Sequence, residues 1–230
     1  MARAASVKER PLPPPLPPER RTVGQLVAES IRLYGRHFLR ALPLGIVVAA
    51  INQVTTGSSR AVVSGVLVVT APVFSAAYAY ATRIVVGGSP VLRSWAVAVG
   101  AGTLVFVPAA LLFPWFALAA VLWLALLGLV VPVAIAERTA FVPSFRRALE
   151  LGRVDYVHAA GSLGTLVILF FLMRAGLALL LQSQADNAVR TAIFLADLVL
   201  APLLFIGGAI LYVDQDARLR SRRDAATTKE

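Results

Sequence analysis

The sequence predicts an all-α fold: a polytopic helical membrane bundle of six transmembrane helices arranged as three hairpins, with two amphipathic helices on the cytosolic side. Three observations predict it. Hydrophobic side chains make up 58% of the 230 residues and charged ones 15%, and the mean hydropathy is +0.78, so there is too little polar surface to coat a soluble globule. Long apolar stretches recur from Ala41 to Val213, and about 18 apolar residues suffice to cross a hydrocarbon core as a helix. The basic residues, finally, collect between alternate apolar segments. The net charge of +10 is therefore read as orientation and attraction to anionic lipid headgroups, with no nucleic-acid partner expected. With no cysteine, disulfides, thiol catalysis and cysteine-ligated metals are excluded.

Residues 1–21 form a basic, proline-rich tail. The run from Pro11 to Pro18 is expected to be extended polyproline II, because proline fixes φ and lacks the N–H. It serves as a stiff spacer or as a ligand for an aromatic-lined groove. No apolar core follows the first basic residues, so no cleavable signal peptide is expected.

A membrane domain spans residues 22–218. Thr22 with Gln25 three residues on fits a capping box, and an amphipathic helix is predicted over 22–40. Val23, Leu26, Val27, Ile31, Tyr34 and Phe38 form its apolar stripe, opposite Gln25, Glu29, Arg32, Arg36 and Arg40. Such a helix lies along the membrane interface or packs on the bundle. Six spans are predicted at about 41–56, 61–82, 95–113, 115–136, 157–182 and 191–213. The first is short and carries Asn52 and Gln53; it can borrow a turn from the preceding helix. The third and fourth spans form one apolar run of about 63 Å as a single helix, twice the bilayer core, so it must fold back, with Pro114 as the breaking point. A second amphipathic helix is predicted at about 144–155, with Phe145, Leu149 and Tyr156 on one face and Arg146, Glu150 and Arg153 on the other. Residues 219–230 form a basic cytosolic tail.

Charge sorting orients the chain. Nineteen of the 22 Lys and Arg fall in the tails and the second and fourth connections, while Arg60 and Arg190 alone lie on the other side. Both termini are therefore expected to be cytoplasmic. Arg32, Arg36, Arg40, Arg146, Arg147 and Arg153 are the candidate interfacial contacts to lipid headgroups.

Arg174 breaks the sorting, since it lies within the fifth span. Charge in hydrocarbon is costly and needs a partner. Asp197 in the sixth span sits at matching depth if the connecting loop centres near Asp186, so an intramembrane ion pair is expected. The alternatives are a solute or proton site, or an Arg174 that snorkels alone to the interface. Asn52 and Gln53 either line a polar cavity or bond between helices. Glu137 is expected to pair with nearby arginines. Ala98/Gly102, Ala96/Gly100 and Ala160/Gly164 have the spacing of close helix approach, which leaves a homo-oligomer or a membrane-protein partner open.

No catalytic centre is expected. His37 and His158 are the only histidines, and no HExxH, GxxxxGK[ST] or GxSxG motif is present, so no metal or other cofactor is assigned.

The stretch from Arg21 to Phe38, the segment Val131–Glu137 followed by Ser144–Arg153, and the ending Leu211-Tyr-Val-Asp-Gln-Asp216 together resemble a bacterial six-span family. That family is the glycerophosphoryl diester phosphodiesterase membrane-domain type, and the resemblance covers nearly all of Arg21 to Arg218. It implies a six-helix fold in the bacterial cytoplasmic membrane. The hydrolase activity in the family's name belongs to a separate soluble domain and is not carried over to these residues. The expectation is a non-enzymatic scaffold or accessory subunit, with transport of a small solute or lipid as the alternative.

Overall fold

A computed structural model describes residues 17–88 and 91–227, whose regular elements are all helices, without a strand. Most of the polyproline run and Lys229 lie outside the described residues. After a 3-10 turn at Pro18–Arg20, the helices are α1 (Val23–Arg36), α2 (Phe38–Thr55), α3 (Arg60–Val86), α4 (Leu92–Leu112), α5 (Ala117–Leu127), α6 (Val130–Ala136), α7 (Phe141–Val154), α8 (Tyr156–Leu180) and α9 (Asp186–Thr227). Six of these stretches are long and apolar enough to cross a membrane, α5 and α6 together making one of them. The protein is a multi-pass membrane protein.

Local chemistry sets the boundaries. Thr22 and Gln25 form the capping box that starts α1. The predicted helix over 22–40 is nevertheless two helices, because His37 leaves helical geometry (φ −118°, ψ 25°) and turns the chain into the bilayer. Phe38 to Arg40 thus belong to the first span. α1 packs on α8 and α9 through Leu26, Ser30 and Tyr34, leaving Ile31 half exposed. Its buried stripe is rotated from the predicted one, since tertiary contact and not hydrophobicity selects the face. α7 corrects in the same way. It starts at Phe141, buries Ser144, Ala148, Leu151 and Gly152, and ends at Asp155, so Tyr156 belongs to the next helix.

The third and fourth spans fold back at Phe113–Phe116, around Pro114. The fourth span contains a second break that the hydropathy pattern hides. Pro132 has no N–H to donate to the Gly128 carbonyl, and its ring crowds that carbonyl; the chain accordingly leaves helix at Gly128 and Leu129. At the other end of the chain, α9 continues as helix through Thr227, into the segment expected from 219 as a basic tail. Arg220 pairs with Asp216 one turn earlier, and no proline or glycine interrupts the segment.

The predicted hairpins form in chain order, but they are not the main packing units. α3 packs most extensively on α4, and α2 on α9, which also touches α1, α3, α7 and α8. The reason lies in one close approach. Pro202 has no N–H for the Leu198 carbonyl, so α9 carries an orphaned acceptor at mid-span. Gly45 of α2 faces that carbonyl so closely that a β-carbon would overlap it. Gly152 of α7 sits in the same way on Leu126, one of the last carbonyls of α5. Gly102 lies against Ser75 of α3 and Val131 of α6, so its small-residue spacing with Ala98 serves packing within the chain. Gly164 has no neighbour within 4 Å.

Candidate functional site

The polar residues fall into two groups, one within the membrane and one at the end of the bundle that carries both termini. Within the membrane, Arg174 Nη1 lies 3.5 Å from Asp197 Oδ2. Asn52 Nδ2 donates to the same oxygen at 2.8 Å. Asp197 is only 1% exposed, so three helices (α2, α8 and α9) are joined through one buried carboxylate. The loop between α8 and α9 runs from Leu181 to Ala185, and Asp186 begins α9 instead of marking the loop's centre. Asp197 is therefore further from the turn than Arg174 by roughly one helical turn, and the long guanidinium side chain bridges the offset. Gln53 donates to the Arg190 carbonyl at 2.8 Å, a second link between α2 and α9.

Asn52 and Gln53 do not enclose a polar cavity. The space beside Asn52 is about 220 Å³ and is lined by Val48, Leu67, Phe74, Phe113, Phe170 and other apolar side chains. A second space, of about 170 Å³, adjoins it through Phe74 and Phe106 and reaches Tyr78 and Gly208. Walls of this kind suit hydrocarbon, and water would find few polar partners there.

At the termini end, acidic side chains consume many of the arginines. Arg147 contacts Glu137 at 3.1 Å, Glu150 at 2.9 Å and Asp216 at 2.8 Å. It was expected to face lipid headgroups, but three carboxylates from two other elements and its own helix surround it. The Tyr212 hydroxyl also donates to Glu137, at 3.2 Å. The Arg147 hydrogen bond, with help from Arg223, holds the Glu150 carboxyl below its ordinary range. Arg21 reaches Asp214 at 2.8 Å, while Arg218 binds Asp155 at 2.7 Å and the Arg21 carbonyl at 2.6 Å. Gln215 adds a bond to the Asp155 carbonyl at 2.9 Å. The segment before α1 is thereby tied to the last helix.

Arg32, Arg36, Arg40, Arg146 and Arg153 remain exposed, with Arg32 only 4.0 Å from Glu29. His158 uses its main-chain N–H on Asp155, and its Nε2 is buried without a partner. No group of three His, Asp or Glu with metal-binding geometry occurs among the described residues.

Sequence reasoning missed Arg21, Asp155, Asp214, Asp216 and Arg218 as interacting residues. The available signal was acidic residues inside otherwise basic connections, where a carboxylate tends to meet an arginine. The chain matches no protein-family model, no curated protein and no solved structure.

Proposed function

We propose that the protein is a non-enzymatic scaffold or accessory subunit of the cytoplasmic membrane, with both termini in the cytosol. The observation that carries this reading is how the intramembrane polar groups are used: Arg174, Asn52 and Asp197 bind one another and Gln53 binds a main-chain carbonyl, beside cavities with apolar walls. A polar solute would have no line of partners to follow. The exposed Arg146 and Arg153 of α7, and Arg36 of α1, supply a basic docking surface at the termini end. Charge sorting supports the orientation, and the six-span resemblance agrees with the same plan without bringing its hydrolase chemistry.

Transport of a lipid is the second reading, favoured by the apolar space that touches Asn52. Both are tested by mild-detergent purification of wild type and of the double charge reversal R146E/R153E. A stoichiometric protein partner that the reversal releases, while the thermal melt is unchanged, supports docking. Wild type found alone with one tightly held lipid, released when Asn52 or Phe170 is altered, overturns docking in favour of transport.

A further inference from the structure

The membrane segments close into a ring: α2 packs on α3, α3 on α4, α4 on α5, α5 on α8, α8 on α9, and α9 back on α2. Inside it, the two apolar spaces described above share Val48, Phe74, Phe106, Leu124, Val167 and Leu204, one side chain from each of those six helices. They are therefore one chamber with a waist. We propose that this chamber holds one acyl chain of a bilayer phospholipid, admitted past Phe171.

The walls of the chamber hold one another apart. Phe74 lies 6.1 Å from both Phe106 and Phe205, and Tyr78 meets Phe106 edge-on at 6.3 Å, so the rings brace one another instead of folding inward. A space of this size forfeits dispersion contacts along its lining unless something apolar occupies it. Cavities of about 150 Å³ with such walls exclude water and take up apolar guests. Within a bilayer the abundant apolar guest is a lipid tail. The polar side chains of the lining are Asn52, whose amide already donates to Asp197, and Tyr78, whose hydroxyl is seated against Gly208. A headgroup would gain no partner by entering, so only the chain goes in.

Length and access fit a single chain. Along α3 the lining runs from Leu67 to Tyr78, about 16 Å at the helical rise. That is about half of a hydrocarbon core of roughly 30 Å, the depth of one leaflet. The chamber is closed toward the termini end, where Tyr78 sits on Gly208. At the other end α5 starts only at Ala117, and Phe113 beyond the end of α4 reaches Phe171 of α8, with ring centroids 6.0 Å apart. Phe171 is 41% exposed, so its ring meets the bilayer while it also lines the chamber. A rotation of this side chain opens the way in. The inference rests on the same apolar walls as the lipid reading, but not on transport, because a resident chain also completes the core of a scaffold.

The test reconstitutes the full chain in vesicles of phosphatidylethanolamine and phosphatidylglycerol. The probe is a phosphatidylethanolamine with a photoactivatable diazirine in one acyl chain, and its cross-links are mapped by mass spectrometry. In wild type, Phe74 and Leu204 are expected to be labelled alongside Leu104, which is 57% exposed on α4. V167W, whose indole fills the waist, should lose the Phe74 and Leu204 labels and keep the one on Leu104. A120F, which fills the chamber from α5, should do the same. F171A should acquire the Phe74 label sooner after the probe is added. A wild type labelled on Leu104 but on neither Phe74 nor Leu204 overturns the site, and so does full chamber labelling in V167W and A120F with wild-type thermal melts. Equal labelling rates in F171A and wild type overturn the entrance. Diluting the probe with unlabelled lipid before irradiation separates this inference from transport. Label that persists upholds a resident chain and counts against a transporter; label that exchanges upholds the site and favours transport.

Discussion

The two halves of α9 are built to different rules. Before Ala201, Asp197 is its only buried residue, and side chains such as Leu195 and Val199 are left to the lipid. From Phe205 to Asp216 nearly every residue is buried, and the sequence changes to Gly207, Gly208, Ala209 and a closing Asp-Gln-Asp. A β-carbon on Gly208 would sit 2.8 Å from the Tyr78 hydroxyl, so the second half is held by side chains seated directly on its glycines and by carboxylate–arginine pairs. The first half relies on one ion pair, two amide hydrogen bonds and, at its end, the approach of Gly45 to Leu198. In a bilayer, burial does not follow hydrophobicity, because lipid tails already satisfy Leu and Val. Small residues and polar partners decide which surfaces meet.

Gly45→Val should have the largest effect, because it drives a side chain into the Leu198 main chain where the two halves join. A loss of about 3 kcal/mol or more is expected, at the upper end for overpacking, since backbone cannot move aside as a side chain can. Thermal melting in detergent would read it; a melt like that of wild type would remove this contact as the organiser of α2 on α9.

Arg147→Met tests the densely tied half. It leaves Glu137, Glu150 and Asp216 facing one another, for an expected loss of about 2–3 kcal/mol, below the fully buried case because Arg147 is 19% exposed. Increased hydrogen exchange should follow in α7 and the end of α9, with the first half of α9 unchanged. Uniform exchange along the whole helix would erase the distinction.

The smallest effect belongs to the lipid-facing half. Arg174→Ala should cost about 1 kcal/mol, in the range of polar contacts between membrane helices, and Asp197→Ala should partly rescue it. Additive losses in that double-mutant cycle would mean that Asn52 alone satisfies Asp197.

Legibility followed distance along the chain. The Thr22/Gln25 cap and the Pro114 reversal are local and could be read directly. The break before Pro132 was also local, yet the unbroken apolar run around it concealed it. Arg174 and Asp197 were found as a pair because each is an exception in its own span, even though the loop between them was placed several residues late. Arg147 was misassigned because its helical stripe gave no sign of the carboxylates that Glu137 and Asp216 bring from elsewhere.

By itself, the sequence determined the six apolar crossings, the sorting of charge between the two ends and the isolated intramembrane charges. Each is a property of segment length or composition measured against hydrocarbon. Only the tertiary structure decided that α2 joins α9 and that Arg147 is enclosed. Those outcomes depend on an orphaned carbonyl meeting a glycine and on carboxylates arriving from distant helices. Apolar periodicity carries little information about either, because every lipid-facing surface is apolar as well.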